Sequence, residues 1–150
     1  MRQVLIGGFE LVHWLVDKLK HDAHVLSGTN RSRSPRHRTI RATIDWSHNL
    51  LGERERVLLR RLSVFDGGWT LDMAEDVCSD AGINRSDVLD VLAQLVDKSM
   101  VLMTARDALA RYRLLEPIRQ YALERLEASG EASDYEARHA ATMLNPCQVR

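Results

Sequence analysis

The sequence predicts a mainly helical fold built around one small β-hairpin, and three observations carry that reading. Val88, Val91, Leu92, Leu95 and Val96 recur at i, i+3, i+4, i+7 and i+8, the spacing of a helix with one buried stripe. The stretch from Thr39 to Thr70 breaks into helix, turn, helix, a short apolar run (Ser63-Val64-Phe65) and a tight Asp66-Gly67-Gly68 turn. Two further short runs, Met100 to Thr104 and Arg111 to Leu115, read as paired strands. Ala105 to Ala110 would form the turn between them, although it lacks the expected glycine.

Each element has its own local signal. In the first helix of the central stretch Ile40, Ile44 and Trp46 alternate with polar groups, and Leu50 and Leu51 close its last turn before Gly52. Trp46 is expected in the core. Glu53 and Glu55 occupy the first turn of the next helix, where carboxylates suit the positive end of the dipole. Arg60 and Arg61 occupy its last turn, and Val57, Leu58, Leu59 and Leu62 supply its buried stripe. Ser63-Val64-Phe65 is expected to be a strand, and Gly67-Gly68 permits backbone angles that other residues resist. Thr70 is a natural N-cap for a helix running to about Cys78, and Trp69 is expected beneath the hairpin. Asp80-Ala81-Gly82 turns the chain, after which Asn84 or Ser86 caps a helix that continues to about Asp97. Pro117 opens another helix, where its missing N–H is harmless. Ile118, Tyr121, Ala122 and Leu126 form its buried face, and Gly130 caps its end. A last helix starts near Ser133 and stops at Pro146.

Helix, strand, helix, helix, hairpin is the order of a winged helix-turn-helix, with a three-strand sheet made from Ser63-Val64-Phe65 and the hairpin. Additional helices flank this core. The expected organisation is an N-terminal helical segment over 1–26, a basic linker over 27–38, a winged-helix domain over 39–116 and the start of a helical, repeat-like region over 117–150. Leu11, Val12, Leu15, Val16 and Leu19 fall at helical spacing in the first segment. Glu10 and His13 interrupt its apolar run, which is shorter than the roughly 18 residues of a membrane span.

Bulk composition sets outer limits. The chain has 150 residues, 45% hydrophobic and 28% charged, enough for one domain with a real core. Its formal net charge is +0, so no global field draws it to nucleic acid or to an acidic membrane. Cys78 and Cys147 lie far apart and make neither a disulfide scaffold nor a zinc pattern. A reducing, cytoplasmic setting fits, with no membrane contact, and Cys78 is expected in the core.

Four blocks, RHRTIRATIDWSHNLL, ERVLLRRLSVFDGGWTLDMAEDVC, LVDKSMV and RYRLLEPIRQYALERL, occur in order between about Leu19 and Ala141. In them the chain resembles the winged-helix module of bacterial STAND-class regulatory ATPases, including large LuxR-type regulators and relatives fused to cyclase or other output domains. The resemblance implies a regulatory module that follows a nucleotide-binding domain and precedes a helical-repeat array. It implies a protein partner, either the ATPase domain or a full-length relative. Some members of the family end the second wing strand with a Met-His-Asp motif that senses nucleotide. The matching positions are Leu114, Leu115 and Glu116, and Leu115 cannot hydrogen-bond a phosphate as histidine does. The family commonly carries W-S-Y-D-L-L, where this chain has Trp46-Ser47-His48-Asn49-Leu50-Leu51.

Two functional classes follow. The first is a non-catalytic regulatory and protein-interaction module, a severed piece of such a regulator, with Glu116 and Arg119 as an interdomain charge pair or else a solvated pair at a helix start. The alternative is a small DNA-binding winged-helix regulator that uses the basic segment Arg31, Arg33, Arg36, Arg38 and Arg41. That arginine run also reads as a solvated connector, which the resemblance favours. The second helix of the helix-turn-helix argues against DNA. It carries Arg85 and Lys98 against Asp87, Asp90 and Asp97, and only Asn84, Arg85 and Gln94 suit base-edge contacts. No Walker A loop or Walker B carboxylate pair is present, so ATP hydrolysis is not expected, and neither is a bound cofactor. His13, Asp17, His21 and His24 could share a helix face, yet nothing completes a metal shell. No catalytic residue is expected.

Overall fold

A computed structural model describes residues 35–106 and 108–144, and these fall in two compact units, Met1–Leu51 and Gly52–Arg150. The first unit contributes helix α1, Pro35–Asn49. The helix expected over 1–26 lies outside the described residues. Pro35 to Arg38, assigned from sequence to the linker, form the first turn of α1. A proline fits there because the first N–H groups of a helix have no internal acceptor. Among the described side chains of α1, Thr43, Ile44 and Ser47 are buried. The hydroxyls of Thr43 and Ser47 donate to the carbonyls of Thr39 and Thr43, 2.8 and 2.9 Å away, so neither is left unsatisfied. Trp46, expected in the core, is 45% exposed. It lies about 200° around the helix from Ile44, so one stripe cannot bury both.

The second unit holds α2 (Glu53–Leu62), α3 (Leu71–Cys78), α4 (Arg85–Asp97), β1 (Leu102–Arg106), β2 (Leu109–Arg113), α5 (Glu116–Ser129) and α6 (Ala132–Leu144). Mainly helical with one antiparallel hairpin, it has the winged-helix architecture that the sequence predicts. Helix α2 is the hub, packed on α3, α4 and α5. Its Leu58, Leu59 and Leu62 are fully buried, each contributing about 1.5–3 kcal/mol by removal from water. Val57 is only half-buried, on the edge of that stripe. The Gly52 N–H donates to Glu55 at 2.5 Å, satisfying one donor at the start of α2.

Ser63-Val64-Phe65 is not a strand. The N–H groups of all three residues donate to carbonyls three residues back, and the Ser63 hydroxyl donates to Arg60 O at 2.6 Å. These bonds extend the end of α2 as a tight turn and leave no extended segment to pair. The third-strand role passes to Trp69, whose N–H and C=O each bond Tyr112 of β2 at 2.8 Å. Gly68 makes this approach possible, since a Cβ there would meet the Tyr112 carbonyl at 3.3 Å. Trp69 is fully buried beneath the hairpin and stacks on Phe65 with ring centroids 5.2 Å apart.

The hairpin is tighter than its sequence suggests. Arg106 pairs with Leu109, so the strands extend into the expected six-residue turn, with Ala108 at φ 66. That left-handed conformation is one glycine would adopt at lower cost. Helix α4 ends in a Schellman arrangement in which Ser99, at φ 59, takes the usual glycine position. Ser99 N–H bonds Val96 O at 2.9 Å and Met100 N–H bonds Leu95 O at 3.0 Å.

Candidate nucleic-acid interface

The helix-turn-helix consists of α3, a turn and α4. Thr70 caps α3, its hydroxyl accepting from Met73 N–H at 3.4 Å. In the turn, Asp80 Oδ1 accepts from the N–H groups of Gly82 and Ile83 at 2.7 and 3.0 Å. The side chain of Ile83 then enters the core. Val88, Val91, Leu92 and Leu95 bury the inner face of α4. The opposite face presents Ser86, Leu89, Asp90, Ala93, Gln94 and Asp97 to solvent.

Cations close to α4 are already engaged. Arg85 binds Asp76 and, at 3.2 Å, Glu75, both on α3. These partners hold its guanidinium above its ordinary pKa, the hydrogen bond it donates to Asp76 being the main cause. Lys98 lies 2.7 and 2.8 Å from the two carboxylate oxygens of buried Glu55. Arg54 faces Asp87 at 3.7 Å. The exposed face of α4 is therefore acidic and apolar.

The wing has the opposite character. Alternation along β2 puts Arg111 and Arg113 on one face, with Thr104 and Leu102 opposite them on β1. Both arginines are exposed, and neither meets a carboxylate among the described residues. Arg111 donates to the Gly68 carbonyl at 3.3 Å. The sequence signal for this face is an Arg-x-Arg pair in a strand, separate from the Arg31–Arg41 run.

Comparison with known proteins agrees with this geometry: the winged helix-turn-helix domain family matches residues 51–127. The chain belongs to that family. Proteins from Mycobacterium bovis and Mycobacterium tuberculosis that carry the name of an HTH-type transcriptional regulator are 46% identical to it over 125 residues. That stretch is 83% of this chain and 14% of each relative, so the chain spans about one seventh of their length. An uncharacterized M. tuberculosis protein is 46% identical over 112 residues, 74% of this chain and 28% of its own length. No solved structure matches.

The candidate residues from sequence belong to both units. Arg31 and Arg33 lie outside the described residues. Arg36 is in the first turn of α1, and Arg38 and Arg41 are exposed one turn apart on the same helix. Glu116 and Arg119 bind each other at 3.2 Å at the start of α5. Arg119 also reaches the Ser63 carbonyl at 3.2 Å and Asp66 at 3.4 Å, tying α5 to the turn after α2. Burial alone would raise the Glu116 pKa, but hydrogen bonds from Arg119 and Gln120 hold it below its usual value. Leu114, Leu115 and Glu116 border a cleft of about 270 Å³ with Gly67, Gly68 and Arg113. Among the described residues no group of three or more His, Cys, Asp and Glu could hold a metal ion, and no helix is long and apolar enough to cross a membrane.

Sequence reasoning missed the charge network that anchors α6. Arg61, 4% exposed, donates to Cys78 O at 3.1 Å, Asp80 at 2.7 Å and Glu131 at 3.2 Å. Its guanidinium also lies 4.6 Å from the centre of the Tyr135 ring. Arg60 binds Glu131 from the same helix at 3.0 Å. Asp80 is held well below the usual carboxylate range, chiefly by Arg61. Cys78 is a buried core thiol, its pKa pushed up to about 12 by burial. Tyr135, the buried residue of α6, is likewise pushed up to about 12, burial being the main cause.

Proposed function

We propose that this winged helix is a non-catalytic, DNA-contacting module of a transcriptional regulator. The observation that carries this reading is the basic outer face of the wing, where Arg111 and Arg113 stand exposed without carboxylate partners among the described residues. Membership of the winged helix-turn-helix family and the names of the mycobacterial relatives support it. Arg38 and Arg41 on α1, continuing the Arg31, Arg33 and Arg36 run, form a second candidate basic surface in the other unit. Phosphate contacts by such arginines release counterions and make affinity fall steeply with salt. The α4 face, with Asp90 and Asp97, is excluded from this role by repulsion. The test is titration of the protein with random duplex DNA across salt. Binding is expected, and R111A/R113A should weaken it, with R38A/R41A testing the second surface separately. Absence of binding at low salt would overturn the proposal.

A second reading is favoured by the acidic α4 face and by the small share of the relatives that this chain spans. On it, the chain is the winged-helix part of a STAND-type, LuxR-like regulator acting in cytoplasmic signal transduction. Its partner is the ATPase domain, with Glu116 and Arg119 at the contact. Co-elution with a full-length relative, lost in E116A/R119A, is the expected result; independent elution would refute it.

A further inference from the structure

The exposed face of α4 has a layout that DNA contact leaves unused. Leu89 is 46% exposed, and Ala93 follows one turn later on the same side. Asp90 and Asp97 run alongside them, seven residues and therefore about 10.5 Å apart along the axis. Neither aspartate has a partner among the described residues, whereas Arg54, Arg85 and Lys98 are each committed to other carboxylates. Ser86 and Ala93 are small, which lets another backbone come close. A second copy of the same face would bring aspartates against aspartates, and a nucleic acid would be repelled. A basic helix meets neither objection.

We propose that the outer face of α4 is a docking surface for a basic amphipathic helix of a protein partner. Two cations of that helix, two turns apart, pair with Asp90 and Asp97. A large apolar side chain between them covers Leu89 and Ala93. Helices recognised along one face in this way present anchors at three-, four- and seven-residue intervals. Charge pairing at the rim sets orientation and encounter rate, and the apolar centre supplies most of the affinity. This inference is independent of the wing, because none of its residues lies on β1 or β2.

The experiment titrates the full chain against a fluorescent synthetic helical peptide with lysines two turns apart and leucines between them. The control peptide has the same composition, with its lysines moved to opposite faces. The matched peptide is expected to bind at least about tenfold tighter than the control, a difference of about 1.4 kcal/mol. D90N/D97N and L89A are expected to abolish that preference, and R111A/R113A to leave it unchanged. All these positions are exposed, so circular dichroism should show an unaltered helical signal. Equal binding of the two peptides, or a preference that survives D90N/D97N, would overturn the proposal. So would failure of the matched peptide to bind.

Discussion

Replacing Arg61 with alanine is expected to destabilise the Gly52–Arg150 unit more than any other single charge removal in it. The side chain is 5% exposed and joins the end of α2 to the Cys78 carbonyl, to Asp80 in the helix-turn-helix turn, and to Glu131 before α6. Breaking a buried ion pair by removing one partner costs about 3–5 kcal/mol. Here the orphaned Asp80 and Glu131 are 28% and 29% exposed, so water recovers part of their solvation. Loss of the aromatic contact with Tyr135 adds to the penalty. The net expectation is about 3 kcal/mol, or roughly 12–24 °C in Tm for a unit of this size. Arg85 provides the internal control. It also makes two ion-pair contacts, but it is 57% exposed, and R85A should cost less than about 1 kcal/mol. Urea unfolding followed by circular dichroism at neutral pH measures both. Equal losses for the two variants, or a loss under about 1 kcal/mol for R61A, would refute the claim that burial of this network anchors α6.

Acid should destabilise the same unit in two stages. His139, packed edge-on against Phe65 at 5.0 Å, has its pKa lowered by burial. The unfolded state therefore takes up its proton first, and stability falls as pH drops through about 6.5. Asp80, Glu116 and Glu131 also have lowered pKa values, so the stability they contribute is present above the unfolded carboxylate range and is lost as pH falls below about 4. Urea midpoints from pH 8 to pH 3 test both stages, and H139F should remove only the first. A108G should raise stability by about 0.5–1 kcal/mol, because relief of left-handed strain exceeds the added chain entropy; a lower urea midpoint would contradict this. Cys78 should resist alkylation until the protein unfolds, since its thiol is buried and its pKa is about 12; mass spectrometry of the Cys78 peptide after a timed iodoacetamide pulse tests this.

What was legible in the sequence was local. Thr70, Pro117 and Gly130 act through their own backbone or a neighbour three residues away, and each occupies its expected place at a helix end. The period of Val88 to Leu95 fixed the inner face of α4 in the same way, although Val96 at its margin is half-buried. Apolar content alone misread Ser63-Val64-Phe65, where successive turn bonds outcompeted strand pairing, and Trp46, which is out of phase with Ile44. The Arg61–Glu131 contact links residues 70 positions apart, and no local pattern announces it. For the candidate nucleic-acid interface, the acidity of α4 was visible as composition. The engagement of Arg85 and Lys98 by Asp76, Glu75 and Glu55 emerged only from the fold. The outward pairing of Arg111 with Arg113 required the strand register.

The most direct test of the central claim, a winged helix that contacts DNA through its basic wing and not through α4, is the salt dependence of duplex DNA binding. Affinities would be measured for the unaltered protein, for R111A/R113A and for S86A/Q94A. The wing variant should flatten the plot of log K against log salt by about 0.9 for each phosphate contact removed, while the α4 variant should leave slope and affinity unchanged. A loss of affinity confined to S86A/Q94A, with the wing variant binding normally, would place the DNA on α4 and contradict the account.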